Sequence, residues 1–180
     1  MRGSIGMRYK PDWPEARERL SALWRGQPLD RPCIAVTAPS GQAVQWPPAP
    51  QSAEQRWMDP AWNAQAALAL IAGTWWGGEA VPSYLLMCGW VHCLGGTPRF
   101  ADETIWFEPK AFDFEARPAF SFDPQNPWVR RHEQAHLALG QAAGKDDFLV
   151  GQPCILPACD VLSMLMGPQN FLLALVDHPA

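Results

Sequence analysis

The run His132-Glu133-Gln134-Ala135-His136 reads H-E-x-x-H. On a helix this spacing puts two imidazoles on one face, with a glutamate placed to activate a zinc-bound water. A zinc hydrolase also needs a third ligand. No glutamate follows His136, and Asp146, Asp147 and Asp160 are the acidic candidates. The extended form of the motif has glycine and histidine where this chain has Leu139 and Ala142, so that extension is absent. Arg130 and Arg131 precede the motif and favour a solvated helix face.

A second cluster is Cys88, His92 and Cys93. Thiolate and imidazole at close spacing suit zinc, although adjacent His92 and Cys93 depart from the usual C-x2-C pattern. Cys154 and Cys159 would complete a four-ligand set. The competing reading is a group of buried thiols with no metal. With Cys33 the chain has five cysteines, an odd number with no disulfide spacing. No signal peptide precedes them, and a reducing, cytoplasmic setting is expected.

The 180 residues carry a formal net charge of -4 and are 48% hydrophobic and 18% charged. That gives no basic footprint for nucleic acid and no polybasic patch for a membrane. No apolar run approaches the length of a membrane span. Nineteen prolines imply many loops. Ten tryptophans suit a large pocket, an interface or a Trp-rich core. Residues 1–6 resemble an expression leader, with Met7 as the natural start, leaving 7–180 as the domain.

The elements that must position these groups follow from caps and periodicity. Pro11 to Arg25 reads as a helix capped by Asp12 and stopped by Gly26. Arg31 to Ala38 reads as a buried strand, and Pro39 to Gln51 as a proline-rich loop. A helix from Asp59 and Pro60 to Ala72 and a strand from Ala80 to Met87 come next. Gly95 to Phe122 is an aromatic excursion with a hairpin or two irregular strands. Pro127 opens a helix ending near Gly144, and Asp147 to Gly151 is a third core strand. Asp160 caps a short helix, Val161 to Met166. Gly167-Pro168 breaks it, and Gln169 to Val176 forms another. Strands separated by helices predict an α/β fold of parallel βαβ units.

Several segments, in order, resemble the uroporphyrinogen decarboxylase-like superfamily. They are Gly77-Gly78-Glu79-Ala80-Val81-Pro82, Thr104-Ile105-Trp106-Phe107, Leu149 to Pro153 followed by Asp160-Val161-Leu162, and the close Leu173 to Pro179. The resemblance implies the N-terminal portion of a (β/α)8 TIM barrel, parallel strands alternating with helices. Such barrels take about 250 residues. A partial barrel exposes sheet edges, which implies a truncated domain or a homo-oligomer that closes the open sheet.

The resemblance also implies a small-molecule substrate. True uroporphyrinogen decarboxylases carry an arginine-rich stretch that holds substrate carboxylates. Ala38 to Gln51 has no arginine. That favours the other branch, methyltransferases that use zinc and a corrinoid methyl donor carried on a corrinoid protein. Their H-x-C pair and later cysteine belong to a second half absent from this sequence. Porphyrinogen decarboxylation, a non-catalytic binding or assembly module and the zinc hydrolase remain as alternatives. Expected substrate-binding residues are Gln152, at the end of the third strand, and Asp160, which is also a helix cap. Glu79 and Trp106 join them, with a turn cap and a core residue as their respective bland roles.

Overall fold

The computed structural model describes residues 6–86, 90–114, 122–144, 147–151 and 156–178. The chain forms two compact units. The first comprises Met1–Ala49, Pro60–Tyr84 and His136–Gly151. The second comprises Pro50–Asp59, Leu85–Ala135 and Gln152–Ala180.

In the first unit, helix α1 spans Trp13–Trp24, with Pro14 and Glu15 in its first turn. Pro14 fits there because that turn leaves its N–H groups unpaired. Strand β1 is Ala35–Pro39. The second unit's short helix α2, Ala53–Met58, is capped by Ser52, whose hydroxyl accepts from Gln55 N at 3.1 Å. Helix α3, Pro60–Gly73, is apolar around most of its circumference and buries Asn63, Ala66, Ala67, Ala69 and Ile71. It runs directly into β2, Thr74–Gly78.

The chain enters β2 beside the end where it left β1. Ser40 N donates to Gly73 O at 2.8 Å, so α3 hands the chain back to the C-terminal end of β1. A strand starting there must run antiparallel, and the register pairs Ala35 with Gly78 and Pro39 with Thr74. A parallel pair would need the crossover to return the chain to the opposite end.

This overturns the expected barrel portion. The described strands form three separate two-stranded sheets, two of them antiparallel. The parallel pair is two residues long on each side: β3, Ser83–Tyr84, with β6, Leu149–Val150. Thus the strands expected over 80–87 and 147–151 shrink to these short segments. The Gly77-Gly78 motif supplies the end of an antiparallel strand instead. The expected buried first strand is also corrected, because all five residues of β1 are exposed.

In the second unit, a 3-10 helix spans Trp90–Leu94. Of the two expected alternatives the hairpin is the one formed, as β4, Thr97–Phe100, and β5, Ile105–Glu108, with Ala101 N donating to Thr104 O across the turn. Helix α4, Pro127–Ala142, begins in this unit. Helices α5, Ala158–Met166, and α6, Pro168–Asp177, meet at 110° across Gly167, whose φ is +81°. The expected break at Gly167-Pro168 is where the chain turns. Among the described residues no single helix is long and apolar enough to cross a membrane.

Two glycines separate backbone need from helix propensity. Gly78 has φ +58°, and a Cβ there would sit 2.1 Å from the backbone oxygen of Ile34. Gly140 lies within α4, with nothing within 4 Å of its Cβ position. Gly78→Ala is expected to destabilise by more than about 2 kcal/mol, from left-handed strain and the clash. Gly140→Ala is expected to stabilise by roughly 0.5–1 kcal/mol. Urea unfolding of both variants checks the opposite signs.

Candidate metal centre

His92, Cys93 and His132 bring their ligand atoms within 4.8 Å of one another, all three residues buried. The 3-10 helix supplies adjacent His92 and Cys93, and the second turn of α4 supplies His132. On α4 the buried residues Val129, His132, Ala135 and Leu139 form one stripe at helical spacing, while Arg130, Arg131 and Glu133 are exposed. The solvated-face reading therefore fails for His132, which is fully buried.

The two imidazoles face each other closely. Their Nε2 atoms are 2.5 Å apart, with ring planes within 9° of parallel. Phe107 stacks over His92 at 6.0 Å, and Trp128 packs edge-on at 5.3 Å. The Arg131 guanidinium covers the Trp128 ring at 5.1 Å. Nδ1 of His92 is buried and finds no hydrogen-bond partner among the described residues.

Burial controls the chemistry of these groups. Desolvation, with the His132 imidazole beside it, pushes the His92 pKa down to about 3. The ring is therefore neutral at pH 7, the form that ligates metal. Burial pushes the Cys93 thiol up to about 11. Metal binding there must displace the thiol proton, so affinity should rise with pH. Two nitrogens on a tetrahedral zinc stand roughly 3.3 Å apart, from zinc–nitrogen lengths near 2.05 Å. To reach that arrangement the Nε2 atoms must spread by about 1 Å and the rings must turn so that both lone pairs converge on the ion.

The depressed His92 pKa has a consequence for the chelated protein. The unfolded imidazole binds its proton near pH 6.5 and the folded one near 3. The unfolded state thus binds more protons between those values, so stability is complete above about pH 6.5 and falls below it. The expected slope approaches about 1.4 kcal/mol per pH unit in that window. Urea titrations from pH 7 to 4 should show this dependence in wild type and its loss in His92→Gln.

The expected substrate residues fall in different units or outside the described residues. Glu79 is buried in the first unit as the anchor of an ion-pair cluster. Its carboxylate accepts from Arg31 Nη1 at 2.9 Å, Arg31 Nη2 at 2.7 Å and Ile34 N at 2.8 Å. The Arg31 guanidinium, followed by that backbone bond, holds Glu79 below the usual carboxylate range. Trp106, in the second unit, is 65% exposed on β5, so the core reading does not describe it. Asp160 is exposed in the first turn of α5. The helix begins earlier than expected, and Pro157 rather than Asp160 holds the cap position. Gln152 lies outside the described residues, as do Cys88, Cys154 and Asp146. Cys159 is a free, exposed thiol on α5.

Sequence reasoning singled out His92 and Cys93 together and His132 separately, but did not join them. The signal for the union was the Val129–Leu139 stripe, which places His132 on the buried side of α4. Comparison with protein-family models, curated proteins and solved structures finds no match.

Proposed function

We propose that this chain is a metal-binding protein in which His92, Cys93 and His132 hold a zinc-type cation. The observation that carries this reading is their convergence within 4.8 Å in a buried, aromatic-lined setting. The mixed nitrogen and sulfur donor set favours zinc over calcium or magnesium, which take oxygen ligands. A cation there would tie the 3-10 helix to α4, joining residues forty positions apart in sequence.

A second reading rests on the ordered segments that resemble the uroporphyrinogen decarboxylase-like superfamily. It makes the chain part of a cytoplasmic methyl-transferring enzyme served by a corrinoid protein. In that chemistry zinc activates an acceptor thiol. The His92–Cys93–His132 set has the donor types for zinc but not the H-x-C and later cysteine of that branch. The cluster supports a cation, therefore, and not that branch's particular site.

Metal content after purification in zinc-containing buffer tests the lead reading. About one zinc per chain is expected in wild type. It should fall to background in His132→Ala and persist in His136→Ala. Equal loss in both variants would point to the H-E-x-x-H pair instead. No zinc in wild type would remove the metal reading.

A further inference from the structure

The first unit contains a cavity of about 630 Å³. That volume falls within the roughly 300–1,000 Å³ typical of small-molecule sites. Its floor is a single stripe of α3: Gln65, Leu68, Ala69 and Ala72, at i, i+3, i+4 and i+7. The proline-rich loop after β1 forms one wall, and Arg8 and Tyr9 form the rim.

Each wall is anchored. At the start of the loop, the Ser40 hydroxyl donates to Ala72 O at 3.0 Å and its backbone N–H donates to Gly73 O. Near the far end, the Trp62 indole donates to Pro48 O at 2.9 Å. Pro47 and Pro48 stiffen the segment between them. The rim is the tip of the Met7–Lys10 turn. Lys10 is fully buried and donates to Trp76 O at 3.1 Å and Gly78 O at 2.7 Å, clamping the turn to β2. A cavity with three tethered walls is largely formed before any ligand arrives, which reduces the ordering needed on binding.

The lining specifies a ligand class. Among the described residues, Arg8 is the only charged one in the lining. Trp46 offers a flat apolar surface and is 54% exposed. Gln42, Gln45 and Gln65 offer amide donors and acceptors, and Leu68 and the alanines are apolar. Arg8 reaches Asp147 at 3.5 Å, an exposed pair longer than a firm charge-assisted bond. A ligand carboxylate can therefore compete for the guanidinium.

We propose that this cavity is a binding site for a small planar aromatic monocarboxylate, its ring against Trp46 and the α3 stripe and its carboxylate on Arg8. The site is independent of the metal cluster, which belongs to the other unit.

Isothermal titration of the full chain with 2-naphthoate, and with neutral 2-naphthylmethanol, tests this. Expected is saturable one-site binding of naphthoate, tighter than the alcohol. Arg8→Gln should weaken naphthoate at least tenfold and leave the alcohol within twofold. Trp46→Ala should weaken both. Asp147→Asn should tighten naphthoate by removing the competing carboxylate. Arg8 and Trp46 are exposed, so both variants should keep the wild-type circular dichroism. The proposal is overturned by no saturable binding at millimolar ligand, by equal affinity for acid and alcohol, or by an Arg8→Gln variant that binds naphthoate as wild type does.

Discussion

Zinc added to the chelated protein at a thousand times its dissociation constant is expected to raise folding stability by about 4 kcal/mol. For a chain of this size that corresponds to a thermal midpoint roughly 8–16 °C higher, at about 2–4 °C per kcal/mol. The gain arises because the cation binds the folded cluster and not the separated residues of the unfolded chain. Cys93→Ser and His132→Ala should each abolish the shift, since each removes one of three converging donors. Magnesium at the same concentration should give no shift, because it demands oxygen ligands. Differential scanning calorimetry of the four combinations checks this. Equal shifts with zinc and magnesium would indicate a nonspecific ion effect.

The second large effect is expected at Glu79. Glu79→Ala removes the acceptor of Arg31, of the Ile34 backbone N–H and of the longer Arg19 contact at 3.6 Å. Breaking a buried ion pair from one side leaves its partners unpaired and costs roughly 3–5 kcal/mol. Arg31 is partly solvated, which puts the expected loss near the low end, at about 3 kcal/mol. Glu79→Gln, which keeps an acceptor in place, should lose less. The pH dependence has a definite sign. Because Arg31 holds the folded carboxylate below its ordinary range, the pair contributes fully above that range. Its contribution disappears as pH falls through the lowered folded value. Urea unfolding between pH 7 and 3 should show this acid loss in wild type and a weaker dependence in Glu79→Ala. A Glu79→Ala variant as stable as wild type would show that the cluster contributes nothing to the first unit.

Local signals made much of the helical structure legible. Pro14 and Gly26 bracket α1, Pro60 opens α3, Pro127 opens α4, and Gly167-Pro168 separates α5 from α6. The aromatic hairpin was partly legible: strand content around Ile105-Trp106-Phe107 was expected, but its pairing into a two-stranded ribbon was not decided by the residues. Strand direction was not legible. It depends on which end of β1 the helix α3 returns to, a fact held in the Ser40–Gly73 bond rather than in periodicity. An alternation of helices and strands is compatible with either answer.

The candidate centre was half legible for a similar reason. Adjacent His92 and Cys93 announced ligand chemistry, but their third partner is forty residues away. The letter pattern H-E-x-x-H pairs His132 with His136. Packing assigns it to His92, and Glu133 is left exposed. Glu79 was legible as a special residue, but its pairing with Arg31, supplied from before β1, was not.

The most direct test of the metal centre is the absorption spectrum of the chelated protein titrated with cobalt(II). Cobalt(II) stands in for zinc and reports both its geometry and any thiolate ligand. Expected is saturation at about one cobalt per chain, with intense tetrahedral ligand-field bands and a thiolate-to-cobalt charge-transfer band that Cys93→Ser removes. A spectrum without the charge-transfer band, or one that survives Cys93→Ser unchanged, would contradict a metal centre at His92, Cys93 and His132.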